Sequence, residues 1–153
     1  MTQRNRAKSS SLFLLELILA ILFFSIASAV CVQFFVKSHL LSRDARELNV
    51  AVTEVSNAAE LIGVSDGVTS AARMIQSEYP KALTNEASQI SVYFDQNFQH
   101  CAEEGAVYLL NIDLSEKDNM IVGTLHMTRL EDKKDIYSLD ISHHLQRRDV
   151  NGI

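Results

Sequence analysis

The 153-residue chain is 47% apolar, carries a formal charge of −5 and contains one proline, which accommodates a membrane segment and one small folded domain but excludes two substantial cores. With the leader cations Arg4, Arg6 and Lys8 and the acid Glu16 set aside, residues 37–153 hold 11 basic and 18 acidic side chains, a balance of −7. Such a surface repels phosphate backbones and argues against nucleic acid as a partner.

Residues 1–11 form a basic leader without an acid, and residues 12–36 form an apolar run from Leu12 to Val36. As a helix these 25 residues reach about 37 Å, enough to cross a hydrocarbon layer of roughly 30 Å with some tilt. The far flank mixes Lys37 and Arg43 with Asp44 and Glu47, so the positive-inside bias predicts a cytoplasmic N-terminus and an extracytoplasmic remainder. Inside the run sits one carboxylate, Glu16. An ionised group among lipid tails costs several kcal/mol unless a partner compensates it, which marks Glu16 as a candidate functional residue.

Three readings of this segment compete. Glu16 can serve helix-to-helix assembly; it can lie one turn inside a generic anchor, reaching headgroups or staying protonated; or the segment can be a cleaved secretory signal ending at Ala27-Ser28-Ala29, a small-x-small site. Against cleavage there, the run continues through Val30, Cys31, Val32, Phe34, Phe35 and Val36, and a charge at Glu16 weakens the apolar core of a signal.

The stretch Ser10-Ser11-Leu12-Phe13-Leu14-Leu15-Glu16-Leu17-Ile18-Leu19-Ala20-Ile21 resembles the prepilin start of the type IV pilin and type II secretion pseudopilin family, in which a basic leader ends in a small residue and the fifth mature residue is glutamate. The resemblance implies processing between Ser11 and Leu12 by a prepilin peptidase, an N-methylated Leu12, and an assembly role for Glu16 in neutralising the terminal amine of a neighbouring subunit. The chain departs from the family pattern where Ser11 replaces the usual glycine, Leu12 the usual aromatic first residue, and Phe13 the hydroxyl residue after it. These departures, and the lack of a disulfide-stapled domain, fit a minor subunit better than an abundant shaft protein.

Across residues 37–62, Leu41, Ala45, Leu48, Val52, Val55, Ala59 and Ile62 repeat at alternating spacings of four and three, predicting that the helix continues outward with one apolar stripe and stops at Gly63 in the left-handed conformation. The stripe suits packing on the chain's own sheet, and its spacing also allows a parallel coiled coil. Residues 63–88 read as a turn at Ser65-Asp66-Gly67, a short helix through Val68, Ala72, Ile75 and Tyr79 ended by Pro80, and a connector from Lys81 to Ser88.

Residues 89–145 switch to a period of two. Four strands are predicted around Val92 and Phe94, Tyr108 to Leu114, Met120 to Arg129, and Ile136 to Ser142, with turns at Glu116-Lys117-Asp118-Asn119 and Glu131-Asp132-Lys133-Lys134. The expected fold class is therefore α+β: a long N-terminal transmembrane helix continuing into a stalk packed on a small antiparallel meander. The polar stretch from His143 reads as a frayed end, and residues 146–153 as a tail.

The chain offers little chemistry. Cys31 and Cys101 lie on opposite sides of the membrane boundary and are not expected to bridge. His39, His100, His126, His143 and His144 have no zinc spacing, and the acids near Asp95 and from Asp113 to Asp118 lack the density of a calcium loop, so neither metal nor cofactor is expected. No phosphate loop, nucleophile elbow, HExxH motif or asparagine-glycosylation acceptor is present. The sequence thus points to a non-enzymatic, pilin-like subunit whose partners are other such subunits, the prepilin peptidase and membrane lipid, located in the cell membrane or an extracellular appendage. The rival is a non-polymerising, single-span anchored binding or sensory domain.

Overall fold

The structure, a computed structural model, describes residues 4–85 and 88–145, with side chains from residue 11 onward. Two compact units divide at Ala45 and Arg46, and helix α1 (Arg4–Gly63, 60 residues) contributes to both. Neither glycine nor proline interrupts α1 before Gly63, so nothing in the sequence breaks its hydrogen-bond ladder.

In the first unit the apolar residues of α1 are exposed around the whole circumference, up to 79% at Phe35. A helix that is apolar on every side is a segment for lipid or for other helices, and this one is long and apolar enough to cross a membrane. The Ser25 hydroxyl turns back to donate to the Ile21 carbonyl at 2.8 Å, so this polar group is satisfied within the helix.

The second unit holds residues 46–63 of α1, helix α2 (Val68–Glu78) and a sheet of five antiparallel strands in sequence order: β1 (Leu83–Asn85), β2 (Gln89–Phe94), β3 (Tyr108–Lys117), β4 (Met120–Arg129) and β5 (Lys134–His144). Period-two burial places Ile90, Val92 and Phe94, then Tyr108, Leu110, Ile112 and Leu114, then Ile121, Leu125 and Met127 on one face. Ala51, Val55, Ala58 and Ile62 of α1 and Ala71, Ala72 and Ile75 of α2 complete the same core. The fold is thus α+β, with one helix-covered sheet face and one polar face carrying Ser91, Asn111, Thr124, Ser138 and Asp140.

Several expectations are corrected. The sheet has five strands, not four, because part of the Lys81–Ser88 connector forms β1, which pairs Leu83 with Ser91 and Asn85 with Gln89. All three β1 residues are exposed. Only backbone pairing places this strand, and no alternating pattern announces it.

The apolar stripe is also rotated. Glu47, Ala51, Val55, Ala58 and Ile62 are buried, whereas Leu41 (72% exposed), Leu48 (45%) and Val52 (36%) are not. At 100° per residue, the buried face lies about 80° around the helix from the line through Leu48, Val52 and Ala59. Gly63 ends α1 without a positive φ; among the described residues the positive-φ glycine is Gly67, at the start of α2. The end of α1 is closed by Ser65, whose amide and hydroxyl both donate to the Ile62 carbonyl, at 3.1 and 2.7 Å.

The β3–β4 hairpin turns on Asp118 (φ 52°) and Asn119 (φ 62°), both left-handed, as a two-residue turn matched to strand twist demands. Strand β5 runs through His144, past the predicted frayed start at His143. Leu145 then donates its amide to the Asn119 carbonyl at 3.0 Å and accepts from Asn119 Nδ2 at 2.9 Å. The predicted tail, residues 146–153, lies outside the described residues.

Candidate assembly site

Ser11, Leu12 and Glu16 lie on the continuous α1 helix in the first unit, all exposed. Leu12 and Glu16 are four residues apart, so they stand on one face, one turn from each other. From residue 9 to residue 36 the chain has no Lys, Arg or His; Lys37, the next cation along the chain, is 21 residues beyond Glu16, roughly 32 Å along a helix. On the other side Lys8 precedes Glu16 by eight residues, roughly 12 Å along a helix, so the apolar stretch itself offers Glu16 no cation of its own chain. The surrounding surface, Leu12, Phe13, Leu19, Ala20 and Phe23, presents only apolar groups.

A second carboxylate on the same helix is treated in the opposite way. Glu47, in the second unit, is 2% exposed. Its carboxylate forms a buried ion pair with Arg129 at the end of β4 and accepts the Tyr108 hydroxyl at 3.0 Å, and Arg129 Nη1 donates to Asp132 Oδ2 at 3.1 Å. One turn plus three residues further on, Glu54 accepts the Tyr79 hydroxyl at 2.7 Å. Glu47 is not part of the apolar stripe read from spacing, and apolarity alone gives no reason to bury it. A signal for it was present in β4, where Arg129 shares the parity of Ile121, Leu125 and Met127 and is therefore carried to the core face.

The remaining chemistry-bearing groups are scattered. Among the described residues no group of three or more His, Cys, Asp and Glu side chains is placed to hold a metal ion. His100 stands edge-on to Tyr79, with centroids 5.5 Å apart, and His143 and His144 alternate across β5. Asp95, considered for calcium, spends Oδ1 on the amides of Asn97 (2.7 Å) and Gln99 (3.0 Å), closing its own turn. Cys31 and Cys101 are both free thiols; slight burial and the nearby Asp95 push the Cys101 thiol up, against an opposing pull from Lys81. Shallow clefts beside β2 and β3 are lined by Asn85, Gln89, Ser91, Asn111 and Asp113, where the Ser91 hydroxyl donates to Asn111 Oδ1 at 2.9 Å.

Comparison with family models, with curated proteins and with solved structures finds no match.

Proposed function

We propose that the chain is a pilin-like structural subunit, a minor pilin or pseudopilin, that assembles with other such subunits through its N-terminal apolar helix into a type IV pilus or a secretion pseudopilus. The observation that carries this reading is Glu16: an exposed carboxylate on an all-round apolar helix, with no cation of its own chain between residues 9 and 36. A carboxylate and an ammonium are each costly in lipid, but paired between subunits they fix the axial register of packed helices.

Cleavage between Ser11 and Leu12 by a prepilin peptidase supplies that ammonium at Leu12. It also leaves Glu16 one turn from the new helix N-terminus, the end of the macrodipole that favours an acid. In this reading the chain crosses the membrane once, with the leader in the cytoplasm and the sheet unit outside, and performs no catalysis. Ser11, Leu12 and Phe13, which differ from the family pattern, favour the rival of an unprocessed anchored domain.

Two measurements decide between them. Intact mass of the native product should place the mature N-terminus at Leu12; a product starting at Met1 indicates a plain anchor, and one starting at Val30 a secreted protein. Under the assembly reading, Glu16→Ala leaves membrane insertion intact or improved while abolishing recruitment into a complex, read by cross-linking in membranes. Unchanged recruitment refutes the role of Glu16.

A further inference from the structure

The second unit of this protein contains a choice that hydrophobic burial alone would make the other way. Between Arg46 and Gly63, α1 carries two overlapping apolar faces that share Val55 and Ile62. The face packed on the sheet adds Glu47, Ala51 and Ala58; the face about 60° away adds Leu48, Val52 and Ala59. Leucine and valine bury more apolar surface than glutamate and alanine, yet Leu48 and Val52 remain exposed. Something other than apolar area orients the helix.

We infer that the Glu47–Arg129 ion pair is an orientation selector, fixing which of the two faces of α1 packs against the sheet. Arg129 is 7% exposed and lies on the core-facing side of β4. With the helix turned to present Leu48 and Val52, Arg129 would be buried without the Glu47 carboxylate and with the more exposed Asp132 as its counter-charge, and a buried cation that has lost its buried partner is far costlier than an exposed leucine. Tyr108 reinforces the choice by donating to Glu47, while Asp132 accepts from Arg129 and holds the guanidinium in place. The Glu54–Tyr79 hydrogen bond lies on the side of the buried face away from Leu48 and Val52 and would also break on rotation. Ala51 and Ala58 are fully buried on the same face as Glu47. The role is independent of what the chain assembles with.

The test uses the full chain in detergent micelles, with Cys31→Ser and Cys101→Ser as background and a single reporter, Ala51→Cys or Val52→Cys, labelled with a maleimide. With the ion pair intact, the reporter at 52 should label at least about tenfold faster than that at 51, as expected for a buried site reached only through local opening. In the apolar pair Glu47→Leu/Arg129→Met the two rates should converge or invert. A labelling order unchanged from the parent overturns the proposal. Should this variant lose its fold by circular dichroism, Leu48→Glu is added to block the competing face. Recovery of the fold with position 51 protected supports selection between faces, and failure to recover overturns it.

Discussion

The Tyr79 hydroxyl donates to Glu54 Oε2 at 2.7 Å, joining the residue that ends α2 to the inward flank of α1 across 25 positions of sequence. The ring itself is held by edge contacts to Phe94 and His100 at 6.0 and 5.5 Å. Tyr79→Phe keeps those contacts and deletes only the hydroxyl. Because half-buried Glu54 can rehydrate, the variant should lose about 1–2 kcal/mol of stability in denaturant melts. The alkaline response should change as well. Burial first, then the hydrogen bond and charge of Glu54, hold the Tyr79 hydroxyl well above its ordinary value of 10.0. The fold therefore prefers the protonated phenol, and the contribution of this group is full below about pH 10 and is lost as pH climbs toward the folded value. The parent should lose stability above pH 10 with an additional slope of up to roughly 1.4 kcal/mol per pH unit that Tyr79→Phe lacks.

Gly123, in the middle of β4, permits a close approach. A methyl group there would meet the Leu114 Cδ2 at 2.6 Å and the Asp113 carbonyl oxygen at 2.7 Å. The first neighbour is a side chain and the second is backbone, so the site has no inexpensive way to yield. Gly123→Ala should cost about 1–3 kcal/mol in chemical denaturation. Pairing it with Leu114→Ala should not restore the loss, since the carbonyl contact persists; full recovery would place the whole clash on the leucine.

The β3–β4 turn makes a prediction of the opposite sign. Asp118 is exposed and sits at φ 52°, a conformation glycine adopts without a Cβ penalty. Asp118→Gly should be neutral or stabilising by a few tenths of a kcal/mol, whereas Asp118→Val should cost about 1–3 kcal/mol. Thermal melts of the two variants side by side check the ordering.

The strands β2 to β5 were legible because Ile90, Val92 and Phe94, and likewise Leu110, Ile112 and Leu114, alternate with polar residues, and burial on one face requires that alternation. Leu83, Thr84 and Asn85 could not be read in the same way, since an edge strand exposed at every position carries no burial pattern. The helical stripe was misread for a different reason. Scoring positions by apolarity sends Glu47 outward and Leu48 inward, and only its long-range partner Arg129, 82 residues away, reverses that choice. Glu16 was visible for the converse reason: it is the one charge in a 25-residue apolar run, and its isolation is local information.

The contrast between these two glutamates on one helix frames the last prediction. Glu47 has its cation inside the same chain, so removing the carboxylate strands Arg129 in the core beside Tyr108. Glu47→Ala should destabilise the sheet unit by about 3–5 kcal/mol, much of it the cost of a buried guanidinium that has lost its main counter-charge. Arg129→Met should be similarly damaging because it strands the carboxylate. The pair Glu47→Leu/Arg129→Met removes both charges and should lie within about 1–2 kcal/mol of the parent in denaturant titrations, a non-additivity that a double-mutant cycle measures directly. Equal and additive losses would show that the two side chains act by packing alone. Glu16→Ala, made in parallel, should leave the melt of the sheet unit unmoved, because in that unit no residue depends on position 16 for its charge.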